Sequence, residues 1–293
     1  MMGQRQCMKR ISQSWNWYRD SWQHKPLFNI FIATFALSAF FIMMPMLDIW
    51  FSELFYVEGE GFPARKVELL LTIRAIGQYF PIAFAIVILV AIILKLIYPS
   101  RRCLFPARFT VYFGSLFLLG PGLLVNGILK PLWDRPRPVN TIDFGGVLPF
   151  VQAWTMGGDF FANRSFVSGE TAGVICLLPL ALFVAKEWRR SVMALLLAFA
   201  VIISVNRIAF GAHYLSDVLI SAGLMFALSV GLWQLIFNED SGAISEEILE
   251  ARLSRAGYSL HGRIRRLKAT FVRTGHSAWA WLGTARPDST HKA

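Results

Sequence analysis

The residues with the most chemistry to offer are His213 and Asp217, four positions apart in SVNRIAFGAHYLSDVL, Ser204–Leu219, with Arg207 just before them. On a helix that spacing stacks both side chains on one face. The carboxylate can then hold one imidazole nitrogen and leave the other aimed at a substrate, a nucleophile or base with its orienter. All three residues stand at the border of an apolar segment, where charge is costly to hold. The other four histidines, His24, His261, His276 and His291, fall in the polar tails.

Two upstream stretches suit an anion. KPLWDRPRP, Lys130–Pro138, offers Lys130, Arg135 and Arg137. The planar arginine fork binds phosphate oxygens in pairs, and lysine adds a compact point charge. Taken alone, the same stretch reads equally well as a solvated loop. SFVSGET, Ser165–Thr171, puts Ser168 and Gly169 at the head of a predicted helix, where free amides, a hydroxyl and the helix dipole favour negative charge. Its plain alternative is Ser168 as an N-cap with Glu170 as a first-turn acid.

The elements that must position these groups are membrane spans. A chain of 293 residues that is 55% hydrophobic and 16% charged, with mean hydropathy +0.50, is too apolar for a soluble domain of that size. It reads as an all-α integral membrane protein. The net charge of +11 lies mostly between and outside the apolar runs, as membrane topology requires, so nucleic acid is not the partner it implies. Cys7, Cys103 and Cys176 show no pair spacing and read as free thiols. No cluster of carboxylates or histidines offers a metal site, and no cofactor is called for.

Six spans are predicted, at Leu27–Leu47, Tyr79–Tyr98, Phe109–Leu129, Ser168–Ala185, Ser191–Asn206 and His213–Phe237, each long enough for a hydrocarbon core of about 30 Å. Gly120-Pro121-Gly122 should bend the third. Between the first two, Val67, Leu70, Leu71 and Ile76 recur at near-helical spacing, an amphipathic outer helix over Pro63–Gly77. The chain divides into a basic, tryptophan-bearing interfacial segment (1–26), the six-helix domain (27–237) and a basic tail (238–293). In that tail a short amphipathic helix over Ile244–Ala256 precedes a second basic segment, Arg263 to Trp281, suited to anionic lipid. Basic short linkers place both tails in the cytoplasm. The loop from Lys130 to Arg164 and the turn before His213 then share the external face.

At this point the order Lys-x6-Arg-Pro (Lys130 to Pro138), Ser-Gly at a helix head (Ser168, Gly169) and Arg-x5-His-x3-Asp (Arg207 to Asp217) resembles the three-part signature of the type 2 phosphatidic acid phosphatase superfamily. The resemblance covers Lys130 to Asp217 and the helix count. It implies a six-helix lipid phosphate phosphatase, with His213 as a nucleophile forming a phosphohistidine and Asp217 as its orienter. It further implies that Lys130, Arg137, Ser168, Gly169 and Arg207 hold the phosphoryl group, without a metal. Three positions depart from the pattern: Val167 for a proline, Asn206 for a serine, and Glu170 for the histidine that acts as general acid. A glutamic acid serves there only if burial keeps it protonated.

The reading is therefore a phosphatase acting on a membrane lipid phosphate at the outer leaflet of a bacterial inner membrane. Substrates of the right kind are lipid A phosphates, undecaprenyl pyrophosphate and phosphatidylglycerophosphate. Two rivals stay open: phosphoryl transfer to a second lipid, and a non-catalytic transporter or phospholipid scaffold that kept the pocket.

Overall fold

The computed structural model describes residues 25–156, 164–237 and 244–284. The N-terminal interfacial segment, part of the external loop and the last nine residues lie outside the described residues, as do the side chains of Trp279 and Trp281. The chain splits into two compact units, Met1–Ile88 with Val111–Ala243, and Leu89–Thr110 with Ile244–Ala293.

Among the described residues the regular elements are all helical, with isolated bridges Val57 to Gly61 and Thr141 to Leu148. We number the α-helices α1 Pro26–Met43, α2 Met46–Glu53, α3 Glu68–Ile97, α4 Ala107–Phe117, α5 Lys130–Trp133, α6 Gly169–Ile175, α7 Arg189–Ala209, α8 Leu215–Phe237 and α9 Glu246–Thr284. Among the described residues five segments are long and apolar enough to cross a membrane: α1, α3, Ala107–Asn140, α7 and α8.

Three expectations change. The amphipathic outer helix and the second span are one helix, α3, of 30 residues, preceded by a 3₁₀ turn at Pro63–Lys66. Glu68 at its start and Lys95 near its end complement the helix dipole. Gly77 does not break it; a Cβ there would lie 2.4 Å from Ile203 Cδ1, so the glycine is the contact point with α7. The third span runs from α4 through π-helical turns over Leu118–Leu129 into α5. Pro121 cannot donate a backbone hydrogen bond, and the wider turn accommodates it; Asn126 Nδ2 donates 2.6 Å to its carbonyl. The fourth apolar stretch is broken, α6 giving way to a 3₁₀ turn at Leu178–Leu182, where Pro179 ends regular pairing.

In the first unit α1 packs along α8, tightly enough that a Cβ on Gly223 would meet Thr34 Oγ1 at 2.6 Å. Short α6 nestles against α7 and α8, with Gly173 over Pro81 of α3. Ile49, Phe62, Phe144 and Tyr214 form a small buried cluster. In the second unit, Lys95 pairs with Glu250, and Glu246 accepts the Ala107 and Arg108 amides, capping the start of α4. The described part of the tail holds one 39-residue helix, α9, in place of two segments, with Arg263, Arg265, Arg266 and Lys268 exposed along it.

Candidate active site

The chain reverses between α7 and α8 across Phe210 to Tyr214. Gly211 sits at φ +55°, and a Cβ there would lie 2.4 Å from Phe62 Cε2, so both backbone and neighbour demand glycine. His213 belongs to this turn and Asp217 to the first turn of α8, so the pair does not share a helix face as the spacing predicts. Chain reversal still brings them together, with His213 Nδ1 3.7 Å from Asp217 Oδ2. That is ion-pair range, longer than a hydrogen bond. Burial pushes the His213 pKa down to about 4, with Asp217 opposing and Arg207 assisting, so the imidazole is neutral at neutral pH.

Asp217 is held by other hands. Its Oδ2 accepts from Ser165 Oγ (2.5 Å) and the Tyr214 amide (2.9 Å), and its Oδ1 from Arg135 Nη1 (2.7 Å). Arg135 also donates to Ser216 Oγ (2.8 Å), Asp48 Oδ2 (2.8 Å) and the Val151 carbonyl (2.7 Å), and its guanidinium lies 4.2 Å from the centre of the Tyr214 ring. Asp48 in turn accepts from Ser216 N (2.8 Å) and Oγ (2.6 Å). Arg135, Asp48 and Asp217 have no exposed side-chain surface. This overturns the expectation for Arg135: it is no external phosphate cation but the buried counter-charge for two carboxylates.

The remaining cations behave differently. Lys130, where the π-helical turns end, brings its Nζ to 2.9 Å from where a Gly169 Cβ would stand, so the missing side chain leaves room for the ammonium at this turn. Arg207, in the last turn of α7, is buried with Nε and Nη1 lacking hydrogen-bond partners. Its Nε lies 2.6 Å from Glu170 Oε2, an ion pair off the N–H axis. Arg137 is half-buried with Nε unpartnered. Lys130, Arg137, Arg207 and Glu170 are mutual electrostatic neighbours, and Lys130 and Arg207 also act on His213. Ser168 caps α6, its Oγ accepting from Thr171 N (3.3 Å) and Oγ1 (3.0 Å), which leaves its own proton free to donate.

Backbone hydrogen bonds stitch the three motifs: Val139 N to Gly211 O (3.0 Å), Ser165 N to Arg135 O (3.0 Å) and Ser168 N to Asp217 O (3.2 Å). Every residue singled out from the sequence is thus brought to one place, with Arg135 beneath it. Asp48, Ser165 and Ser216 were not singled out, and neither were Arg65 and Arg74, charge neighbours of both Arg137 and Arg207. An aspartate closing the first apolar run, as Asp48 does, was the one available signal. Among the described residues no group of three or more His, Cys, Asp or Glu side chains is placed to hold a metal ion.

Residues 108–241, which carry His213 and the cations Lys130, Arg137 and Arg207, match the family model of the PAP2 superfamily. The chain belongs to this superfamily, as its relatives also show. It is 38% identical over 224 residues to a lipid A 4'-phosphatase of Rhizobium leguminosarum, covering 69% of this chain and 94% of the relative. A lipid A 4'-phosphatase of Rhizobium etli is 39% identical over 217 residues (66% and 82%), and one of Francisella tularensis subsp. novicida 25% over 213 (71% and 94%). Among solved structures, a transmembrane PAP2-type phosphatidylglycerolphosphate phosphatase from Bacillus subtilis aligns with TM-score 0.47 and 20% identity, over 73% of this chain and 96% of that one. The protein is an integral membrane lipid phosphatase.

Proposed function

We propose that this protein removes the 4'-phosphate of lipid A or a closely similar glycolipid, through a phosphohistidine on His213, without a metal. The observation that supports it is the meeting of a neutral, buried His213 with Lys130, Arg137 and Arg207, the latter two carrying unpartnered donors. Relatives carrying the lipid A name support the substrate.

In the first step a His213 nitrogen attacks phosphorus in line, the bond to the sugar oxygen breaks, and Glu170 gives that oxygen its proton. In the second, Glu170 takes a proton from water as the hydroxide attacks the phosphohistidine, returning His213 and releasing phosphate. The three cations and the Ser168 hydroxyl hold the phosphoryl oxygens throughout; such transfer is chiefly positioning and charge stabilisation. Glu170 rests against Arg207. An arriving phosphate takes that cation over, and the step requires Glu170 to enter it as the acid.

For topology we propose six spans, the broken segment Gly169–Leu182 being the sixth, with the site at the periplasmic face of the inner membrane and both termini cytoplasmic. The test is inorganic phosphate release from lipid A carrying a 4'-phosphate, in detergent, by wild type and His213→Ala. Release by wild type and none by the variant is expected; equal release by both would overturn the mechanism. A phosphorylated second lipid on thin-layer chromatography, in place of free phosphate, would make the protein a transferase.

A further inference from the structure

The pocket holds more positive charge than one phosphate can use. Lys130, Arg137 and Arg207 face Glu170, which occupies Arg207. Asp217 is already engaged by Arg135, Ser165 and the Tyr214 amide. Lys130, Arg137 and Arg207 by themselves supply three positive charges, already more than one phosphomonoester dianion needs. Arg74 and Arg65 then stand over, and both are charge neighbours of Arg137 and of Arg207.

Packing places them on the same rim. Arg74 lies 5.9 Å from the centre of the Phe210 ring, and Arg207 lies 5.9 Å from that same ring, so one aromatic side chain carries a reacting-centre arginine and an outlying one. Phe62, which opens the 3₁₀ turn bearing Arg65, packs where a Gly211 Cβ would be. Asn206 Nδ2 donates to the Leu70 carbonyl (3.0 Å), tying the start of α3 to the end of α7. Arg74 is half-buried, and its Nε is a buried donor without a hydrogen-bond partner. Like charges gathered around an unsatisfied donor are unfavourable unless an anion arrives.

We infer that Arg74 and Arg65 form a second anion subsite, one that takes another phosphate of the same lipid molecule while its first phosphate sits at His213. The subsite deepens the lipid A reading and rests on it: the preferred substrate is bis-phosphorylated, and the distal phosphate sets affinity and register on the sugar and takes no part in bond breaking. Its negative charge offsets the repulsion among Arg74, Arg137 and Arg207.

The experiment compares a lipid A disaccharide bearing two phosphates with one bearing the 4'-phosphate alone, as substrates of the full-length protein in neutral detergent. Wild type should favour the bis-phosphorylated lipid in kcat/KM, mainly through a lower KM. Arg74→Gln should cut that preference about tenfold, the size of one lost charge-assisted hydrogen bond, and Arg74→Lys should restore part of it. Arg65 is exposed, so Arg65→Gln folds regardless and should lower the preference by a smaller factor. No preference in wild type, or a preference unchanged in both glutamine variants, overturns the subsite while leaving the phosphatase reading intact. Failure of wild type to release phosphate from either lipid overturns the phosphatase reading itself. If phosphatidylglycerol added to the mono-phosphorylated lipid reproduces the rate advantage, the anion belongs to a neighbouring headgroup and the same-lipid assignment falls.

Discussion

Arg135 and Arg137 are two residues apart in one motif and live in opposite worlds. Beneath the site, Arg135 spends its donors on Asp48, Asp217, Ser216 and Val151 and has no exposed side-chain surface. Around the site above it, Arg137 and Arg74 each leave Nε without a hydrogen-bond partner, and Arg207 leaves Nη1 without one while its Nε rests against Glu170. Burying an arginine without its partners is expensive, so satisfied cations read as framework and unsatisfied ones as waiting for a ligand. Lys95 in the second unit follows the framework rule, bonded to the Pro99 and Arg101 carbonyls and paired with Glu250.

The sharpest way to break this contrast is to truncate one member of each layer. Arg135→Ala strands two buried carboxylates and should cost about 3–5 kcal/mol of stability, read as a fall in melting temperature in detergent along with loss of activity. Arg207→Ala should lower kcat/KM by about 10²–10³ with a smaller fall in melting temperature, because it strands only the part-exposed Glu170. If both variants lose stability alike, the distinction between layers fails.

A smaller effect probes Glu170. Glu170→Gln should depress turnover strongly with a lipid sugar phosphate and much less with p-nitrophenyl phosphate, whose leaving group needs no proton. Equal losses on both would make Glu170 a structural partner of Arg207.

The pH profile sharpens the same contrast. Because burial lowers the His213 pKa to about 4, activity that depends on neutral imidazole should persist below the ordinary histidine value of 6.5 and fall only as pH approaches 4. The stability sign follows: the unfolded chain binds the proton first, so stability declines as pH drops from 6.5 towards 4 and is insensitive to this group above. His213→Asn should flatten that slope in a thermal-melt series.

Much of this site was legible before any coordinates, because phosphate chemistry needs particular side chains and the family signature fixes their order. Lys130, Arg137, Ser168, Gly169, Glu170, Arg207, His213 and Asp217 lie together around the turn between α7 and α8. Their local geometry was less legible. His213 and Asp217 meet because Gly211 reverses the chain, a backbone event that i,i+4 counting does not see. Arg135 looked like its neighbour Arg137 because nothing local tells which will meet Asp48, 87 positions away. A still longer separation hid Asp48 accepting from the Ser216 amide, 168 positions away. Helix limits failed where apolar periodicity is blind: α3 absorbs Gly77 because the glycine fits Ile203, and the stretch after Ser168 breaks at Pro179 inside an unbroken apolar run.

The most direct test of the central claim is to trap the covalent intermediate. Purified protein mixed with lipid A labelled with ³²P at the 4'-phosphate and quenched in alkali within milliseconds should carry label that survives base and is lost in acid, as a phosphoramidate does. That label should map to the peptide containing His213 and be absent in His213→Ala. Free phosphate released by wild type with no protein-bound label at any quench time, or with label on another residue, would contradict the account.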